Sequence, residues 1–375
     1  MKNDKIKYYT LVNILKELGD YYVIFGERSN GKTFSVLERG IKKHIESNYK
    51  EQLGIIRRYD DDFKGKNGTQ QFEGFVNNPL NGNLIEQWTK GKYNGVTYQS
   101  LRWYLSKTYI NEKGTTIKEV CEYPFAFGFA INVEEHYKSF SYPNITTILF
   151  DEFISRKYYI NDEFIMFQNL LSTIIRDREN IEIFMCGNTI NKYNPYFKEM
   201  GLTNAKNMKK GTIDVYTYGE SDLRVVVEYS DFPMKKKKSD KYFAFDNPKL
   251  KMITNGGWEL SIYPHLPVKY RPMDIYYTYF IIFDDEILQC EIINVNNEWF
   301  TYIHRKTTPL KKDNENIVYQ MEYDYRSNFK RNIKKYTNEM EKIIYSFFVK
   351  EKVFYQNNEV GELVNNYLVW CNQNK

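Results

Sequence analysis

A glycine-rich segment near the amino terminus has the residue types that bind nucleotide phosphates. Residues 26–33 read G-E-R-S-N-G-K-T, which matches the pattern G-x-x-x-x-G-K-[ST]. An apolar run at 21–25 predicts a short buried strand before this segment, and 34–44 predict a helix after it. In that context the backbone N–H groups of the loop and the helix N-terminus point at the β- and γ-phosphates. The segment therefore predicts a phosphate-binding loop rather than an ordinary glycine turn.

The positions of this loop have separate predicted roles. Gly26 and Gly31 permit the backbone angles that turn the loop amides inward. Lys32 is expected to reach the β- and γ-phosphates as a point charge, and Thr33 to offer its hydroxyl to Mg²⁺. The residues expected to bind the nucleotide are Gly26, Glu27, Arg28, Ser29, Asn30, Gly31, Lys32 and Thr33.

A second apolar run, residues 145–150, ends in two carboxylates, which is the Walker B pattern. Asp151 is expected to hold Mg²⁺, usually through a water, and Glu152 to orient and polarise the attacking water. Taken alone, this pattern also fits a strand that ends in a solvated turn. The phosphate-binding loop in the same chain favours the catalytic interpretation. A glutamate directly after the aspartate is typical of NTPases that hydrolyse with a glutamate and disfavours a metabolic kinase.

Polar residues at two other predicted strand ends complete the candidate site. Asn188 follows the strand that begins at 181 and is predicted to sense the γ-phosphate; a plain turn asparagine is the alternative. Arg57 and Arg58 end a buried strand at 53–58, and either is placed to pair with Glu152 and hold it away from the water. The alternative partner for these arginines is the acidic run at 60–62.

Alternating strand and helix patterns around the loop predict a three-layer α/β domain. Residues 60–83 are polar and glycine-rich, which predicts a loop or a mobile insertion. The other predicted elements are helices at 11–18 and 162–175, strands at 93–98 and 125–131, and a hairpin of 212–218 with 223–229.

Composition limits the class of protein. A chain of 375 residues with 42% hydrophobic and 27% charged residues is globular and long enough for two domains. Its net charge of +5 permits contact with a polyanion without demonstrating it. The four cysteines are far apart in sequence, which disfavours a zinc site and predicts free thiols in a reducing compartment. No signal peptide and no apolar run of 18 residues is present, so we expect no membrane segment and a cytoplasmic location.

The last third of the chain predicts a separate α/β domain. A lysine-rich segment at 233–240 is expected to be an exposed linker, either a solvated hinge or a nucleic-acid contact. The elements predicted after it are an apolar hairpin of 275–283 with 287–294, a strand at 299–304, and helices at 329–347 and 360–370.

These features together resemble a known family. The phosphate loop, the strand ending in Asp151 and Glu152, the sequence I-I-R-D-R-E-N at 174–180, the strand that runs into C-G-N at 186–188 and the lysine-rich linker resemble the DNA-packaging (encapsidation) ATPases of phi-29-like tailed bacteriophages. The resemblance implies a P-loop NTPase of the ASCE type that uses ATP and Mg²⁺. It also implies a ring of five copies on the portal vertex of a prohead, in the host cytoplasm, that drives double-stranded DNA inward.

The resemblance further implies a division of the chain and one more catalytic group. Residues 1–230 would form the ATPase domain, 231–245 a basic linker, and 246–375 a domain that resembles an RNase H-like nuclease without its catalytic residues. In that family the second domain docks on the prohead and its structural RNA. A trans-acting arginine completes the neighbouring subunit's site, and Arg176 and Arg178 are the matching positions. Basic residues expected to contact nucleic acid or the portal, or else to form the solvent face of a helix, are Arg326, Lys330, Arg331, Lys334 and Lys335.

A different class of function remains compatible with the same motifs. A cytosolic P-loop switch would bind nucleotide to gate a protein partner, without translocating DNA. It predicts slow turnover that DNA does not stimulate, whereas a packaging motor predicts ATP hydrolysis that depends on DNA and on assembly.

Overall fold

Two β-sheets organise the chain in the computed structural model, which describes residues 8–155, 159–219, 221–231 and 261–374. The first sheet has ten strands in the order β3-β4-β6-β2-β7-β8-β1-β10-β9, with β5 paired to β4. Its strands are β1 Tyr21–Gly26, β2 Gln52–Arg57, β3 Gly95–Gln99, β4 Arg102–Ile110, β5 Thr116–Val120, β6 Ala126–Ala130, β7 Ile145–Asp151, β8 Glu182–Asn188, β9 Thr212–Thr217 and β10 Arg224–Ser230.

The central strands of the first sheet, from β6 to β10 in that order, are parallel, and antiparallel strands extend both edges. Parallel strands place their carboxyl ends at one edge of a sheet, so the segments that follow β1, β2, β7 and β8 meet there. β8 lies between β7 and β1. This order brings the residue that ends β8 between the phosphate loop and the two carboxylates.

Helices cover both faces of the first sheet. Successive side chains of a strand point to opposite faces, and in these strands the side chains on both faces are apolar and need to be buried. Val23 and Phe25 pack with α5 in one apolar cluster, and Tyr22 and Ile24 pack with α1 in the other. The helices of this region are α1 Lys32–Glu46, α2 Lys66–Gln70, α3 Glu73–Val76, α4 Leu84–Trp88, α5 Glu163–Ile175 and α6 Pro195–Glu199. The predicted α/β fold with a parallel sheet is confirmed.

Two local predictions for this region are wrong. The helix expected at 11–18 is only the 3₁₀ turn Ile14–Glu17, because Leu18 has a left-handed φ of 49° and the chain turns directly into β1. The segment 60–83 is not an open loop. It folds as a 3₁₀ turn, Asp60–Phe63, followed by α2 and α3. Three buried rings, Phe63, Phe72 and Phe75, anchor it to the sheet at irregular spacings that no periodic pattern reveals.

The second sheet has the strand order β15-β14-β11-β12-β13-β16. β11, β12 and β13 form an antiparallel meander, and the flanking strands are parallel to their neighbours. Its strands are β11 Ile275–Phe283, β12 Glu286–Val295, β13 Glu298–Arg305, β14 Val318–Tyr319, β15 Phe329–Lys330 and β16 Val353–Tyr355. The helices of this region are α7 Glu339–Val349 and α8 Asn358–Gln373. The predicted meander and the last helix are therefore present.

The helix predicted for 329–347 is wrong in its first half. Residues 329–330 pair with β14, and α7 begins after Asn338, whose side chain accepts a hydrogen bond from the Glu341 amide. The basic residues around 330 are therefore not one face of a helix. Lys330 lies 3.3 Å from the buried Glu341 carboxylate, and Arg326 pairs with Asp324 at 2.7 Å. The predicted linker at 233–240 lies outside the described residues.

The residues that follow β8 contact the second sheet's helices. The Asn191 amide donates to Asn366 Oδ1 at 2.7 Å, and Lys192 Nζ lies 3.1 Å from Glu359 Oε1. Tyr193 is buried in the apolar cluster of the second sheet. The segment directly beyond Asn188 is thus part of the packing between the two regions.

Candidate active site

The predicted phosphate loop leaves β1 and opens α1, as its sequence requires. Gly31 has a φ of +99°, which L side chains rarely adopt. A Cβ at Gly26 would lie 2.3 Å from Ser230 Oγ on the neighbouring strand β10. Glycine is therefore needed at both positions, once for its backbone angles and once for a close approach.

Lys32 is buried at the base of the loop, with 5% of its surface exposed. Its Nζ donates to the Glu27 carbonyl oxygen at 2.7 Å and to Asn30 Oδ1 at 3.1 Å. The Asn30 side-chain amide donates to Ser230 Oγ at 3.1 Å, which orients its oxygen toward Lys32. Burial lowers the pKa of Lys32 to about 8. The ammonium is thus held by neutral acceptors, which leaves its charge for an anion.

Thr33 and Asp151 come together from α1 and β7. Thr33 Oγ1 donates to Asp151 Oδ1 at 2.7 Å, and Asp151 is buried. A hydroxyl and a carboxylate are the hard oxygen donors that Mg²⁺ prefers beside nucleotide phosphates, so these residues fit that ion. In the part of the chain that the structure describes, no cluster of three or more His, Cys, Asp or Glu forms a separate metal site.

Glu152 projects into the same space from the turn after β7, and two-thirds of its side chain is exposed. Arg57, at the end of β2, holds both carboxylates. Its Nη2 lies 2.7 Å from Asp151 Oδ2 and its Nη1 lies 3.2 Å from Glu152 Oε2. The Asp60 and Asp61 carboxylates pair with Lys64 instead. The predicted pairing of an arginine with Glu152 is therefore present, and Arg57 makes it.

Arg58, the next residue, points to the other side of the strand end. Its Nε and Nη2 contact the two carboxylate oxygens of Glu163 at 2.7 and 2.9 Å. The same guanidinium donates to the Phe153 carbonyl oxygen at 2.9 Å and to the Glu152 carbonyl oxygen at 3.3 Å. The sequence analysis did not distinguish the partners of Arg57 and Arg58, and it did not identify Glu163. The available signal was that adjacent residues of a strand point to opposite faces, so the two arginines should have different partners.

One cavity of about 510 Å³ contains most of the predicted nucleotide-binding residues. Asn188 lines it from the end of β8, where it lies beside Gly26 at the start of the phosphate loop. The predicted site residues among its lining are Arg28, Ser29, Asn30, Gly31, Lys32, Thr33, Asp151, Glu152 and Asn188. Gly26 and Glu27 lead into the loop, and Lys210 pairs with the Glu27 carboxylate at 3.0 Å. The cavity thus presents a lysine ammonium, a hydroxyl–carboxylate pair and a second carboxylate to a common space.

The two remaining predicted residues, Arg176 and Arg178, lie outside this cavity at the C-terminal end of α5. Arg178 donates to main-chain carbonyl oxygens of Ile174 at 2.7 Å and Ile145 at 2.5 Å, and also to Ile175 and Pro143. Arg176 is exposed and donates to the Phe140 carbonyl oxygen at 2.8 Å. The structure thus ties Arg178 to its own subunit much more firmly than Arg176.

Comparison with known proteins identifies relatives of this chain. The family model described as Podovirus DNA encapsidation protein (Gp16) matches residues 125–372. The DNA packaging protein of Bacillus phage phi29 is 37% identical over 92 residues, which cover 23% of this chain and 28% of that protein. The DNA packaging protein of Bacillus phage B103 is 27% identical over 184 residues, covering 48% of this chain and 47% of that protein. The matches thus span less than half of these curated relatives.

A solved structure shares the fold over nearly the whole chain. It is described as the Phi-28 gp11 DNA packaging motor, with a TM-score of 0.51, 16% identity and coverage of 98% of both chains. At this identity the likeness concerns the fold. In the described ranges, the helices are all too short or too polar to cross a bilayer.

Proposed function

This chain belongs to the podovirus DNA encapsidation protein (Gp16) family, and we propose that it is an ATP-hydrolysing motor that moves double-stranded viral DNA into a prohead. The observation that carries the proposal is the single cavity in which Lys32, Thr33, Asp151 and Glu152 converge. A phosphate-binding lysine, a metal-binding pair and a glutamate are the parts that hydrolysis of a nucleoside triphosphate requires.

The chemistry follows from the position of each group. The loop amides and Lys32 would bind the β- and γ-phosphates, while Asn188, beside Gly26 at the end of β8, would contact the γ-phosphate. Glu152 would orient water for in-line attack and accept its proton. Mg²⁺ at Thr33 and Asp151 would supply positive charge to the phosphate oxygens. Catalysis of this kind rests on positioning and charge stabilisation rather than on a covalent intermediate.

The strand order supports an ASCE-type ATPase. In that class an additional strand separates the strand of the phosphate loop from the strand of the Walker B carboxylates, and here β8 does so. β8 also ends in Asn188, where a γ-phosphate sensor belongs. We therefore propose hydrolysis by Glu152 rather than phosphoryl transfer to a metabolite.

Assembly is the second part of the proposal. We propose that the chain acts in the host cytoplasm as a homomeric ring, of five copies by family resemblance, on the portal vertex of a prohead. Arg176 is the stronger of the two candidates for the trans-acting arginine, because its guanidinium is exposed and Arg178 is held by several carbonyl groups. A structural RNA at the portal is a further partner in phages that use one.

The experiment that tests this function measures ATP hydrolysis by purified protein alone, with double-stranded DNA, and with DNA and proheads together. We expect turnover to rise with DNA and to rise further on assembly, together with protection of the DNA from nuclease. Lys32→Ala protein is the matched control for contaminating ATPases. Slow turnover that neither DNA nor proheads change would favour the alternative, a P-loop regulatory switch.

Replacing Arg57 should uncouple hydrolysis from DNA. The Arg57–Glu152 ion pair holds the carboxylate that must orient water, so Arg57→Met is expected to raise basal turnover and reduce its stimulation by DNA. Glu152 is largely exposed and its pair with Arg57 is worth at most about 1 kcal/mol, so the release of Glu152 by itself should raise basal turnover by no more than about fivefold. The measurement is the ratio of DNA-stimulated to basal turnover, with Lys64→Met, a surface ion-pair residue on the neighbouring turn, as control. An unchanged ratio in Arg57→Met would count against the switch.

We propose that residues 246–375 form an RNase H-like domain, linked by 231–245 to an ATPase domain of residues 1–230. The strand order β13-β12-β11-β14-β15, with an antiparallel meander followed by two parallel strands, supports this proposal. Such nucleases bind metal through a carboxylate in the middle of their first strand. The corresponding strand here is β11, and Tyr279 lies at its centre, buried and 3.2 Å from the Thr301 hydroxyl.

The full-length protein should therefore not cleave DNA in the presence of Mg²⁺ or Mn²⁺. The measurement is conversion of supercoiled plasmid over hours, with Lys32→Ala protein so that ATP-dependent activity does not interfere. Glu291 on β12 is the buried acid that this test must address, since it pairs with His304 and accepts a hydrogen bond from Tyr270. Metal-dependent cleavage that disappears in Glu291→Gln would contradict the inactive-nuclease proposal.

A further inference from the structure

The buried pair of Arg58 and Glu163 joins two segments that the proposed function treats separately. Arg58 directly follows β2 and lies beside the turn that carries Glu152. Glu163 is the first residue of α5. The side chains are 10% and 1% exposed, and both guanidinium–carboxylate contacts are shorter than 3.0 Å. This is a bidentate charge pair, which fixes orientation as well as distance.

Glu163 is held by further donors. The Tyr196 hydroxyl donates to Oε1 at 2.7 Å, and the Ile160 amide donates to Oε2 at 2.8 Å. Burial lowers the pKa of Arg58, but the hydrogen bonds and the charge of Glu163 outweigh this effect and raise it overall. The pair is therefore a charged, fully bonded anchor at the beginning of α5.

The same guanidinium also contacts the turn that carries Glu152. Arg58 donates to the carbonyl oxygens of both Glu152 and Phe153. Glu152 has a left-handed φ of 59°, a conformation that a glutamate adopts only when its surroundings hold it there. Arg58 holds both carbonyl groups of the turn, while Arg57 pairs with the Glu152 carboxylate and the Phe153 amide donates to the Cys186 carbonyl oxygen, so Arg58 is one of the groups that fix the direction of Glu152.

α5 extends from this anchor to the predicted trans-acting arginine. Its thirteen residues end at Ile175, directly before Arg176, and one face is packed against the sheet through Phe167, Leu170 and Ile174. A straight helix of this length spans about 20 Å, so one continuous element joins the anchor to Arg176.

We propose that Arg58 is a positioning residue that makes the Glu152 turn and α5 move together, so that the nucleotide state of one subunit sets the position of Arg176 at its neighbour. This inference rests on the proposed function, because it needs a nucleotide in the cavity and a neighbour beside Arg176. It adds a connection between the two catalytic groups and assigns that connection to Arg58, whose side chain also lines the cavity.

The test uses a variant in which the connection is removed without leaving a buried charge. Arg58→Met alone would leave Glu163 ionised and unpaired, which can prevent folding. The double variant Arg58→Met/Glu163→Gln is neutral, and the glutamine amide can accept from the Ile160 amide through its oxygen and donate to the Tyr196 hydroxyl through its NH2 group. Tyr196→Phe is the matched control, because it removes one hydrogen bond from Glu163 and leaves the carbonyl contacts of Arg58 in place.

The first measurement is amide hydrogen exchange of the full chain with and without a non-hydrolysable ATP analogue and Mg²⁺. In wild-type and Tyr196→Phe protein we expect the analogue to change exchange both at residues 151–155 and along α5 to residue 176. In the double variant the change should remain at 151–155 and be lost from α5. A change along α5 that survives in the double variant, or that is absent from wild-type protein with bound analogue, would overturn the proposal.

The second measurement distinguishes failure of this inference from failure of the proposed function. Wild-type and double-variant protein should both bind the analogue, since the phosphate loop is unaltered, and the two are compared at saturating analogue because Arg58 lines the cavity. Assembled with Arg176→Ala subunits, the double variant should give no recovery of hydrolysis, whereas Glu152→Gln subunits should give recovery. Recovery by the double variant equal to that by Glu152→Gln overturns the positioning role. Wild-type protein that binds no nucleotide contradicts the proposed function itself.

Discussion

Glu152→Gln is expected to bind ATP as wild-type protein does and to lose at least about a hundredfold in turnover, the usual contribution of a general base. The glutamate lines the cavity from the turn after β7 and pairs with Arg57. Its replacement therefore leaves the phosphate-binding groups in place and removes the group that activates water. Equilibrium binding of a fluorescent ATP analogue and single-turnover hydrolysis measure the two effects separately.

Lys32→Ala is the control for that result, because it should lose nucleotide binding, whereas Glu152→Gln should lose only turnover. Lys32 supplies a buried cation at the base of the loop, so its loss should weaken nucleotide binding itself. Normal turnover by Glu152→Gln would show that Asp151 and Glu152 have been assigned the wrong roles. Normal binding and turnover by Lys32→Ala would remove the phosphate-loop assignment.

Arg176→Ala should lower assembly-dependent hydrolysis by about 10³–10⁵, the range found for arginines that stabilise charge on a transferring phosphoryl group. Its own cavity is intact, so nucleotide affinity should be unchanged. Arg178→Ala should act differently. It removes the donors that satisfy carbonyl groups at the end of α5 and near Ile145, and its main effect should be on thermal stability.

Mixed rings decide whether the arginine acts between subunits. An Arg176→Ala subunit retains its own site, and a Glu152→Gln subunit retains its arginine, so interfaces between the two should recover hydrolysis. Rings made of either variant alone are the controls. A mixture with no recovery, or an Arg178→Ala mixture that recovers while Arg176→Ala does not, would refute the assignment to Arg176.

The phosphate loop and the two carboxylates were predictable because the ligand dictates their residue types. A phosphate chain needs inward-facing amides, a lysine and a hydroxyl at fixed spacing, and these appear as a contiguous pattern from Gly26 to Thr33. Strand ends are also predictable in a parallel sheet, which is why Asn188 was expected beside the site and lies there. The roles of these residues remain predictions for the experiments above.

Side-chain direction and irregular packing were not predictable. Two adjacent arginines gave no indication that Arg57 would face the carboxylates and Arg58 the interior, because that depends on how β2 pairs with β7. The buried aromatic residues of 60–83 do not recur at a helical or strand period, so the sequence of this segment predicted a loop. The apolar spacing of 329–347 resembled one helix, whereas Asn338 caps a shorter one and the preceding residues join the second sheet.

The packing around Tyr193 has a consequence for how the protein can be divided. A fragment that ends near residue 231 would leave Lys192 and Asn191 without their partners Glu359 and Asn366. It would also expose Tyr193 and so carry an apolar patch that favours association. The two regions lie on one chain, which raises the effective concentration of surfaces that contact each other. Produced as two separate chains, the two regions should recombine into a non-covalent heterodimer.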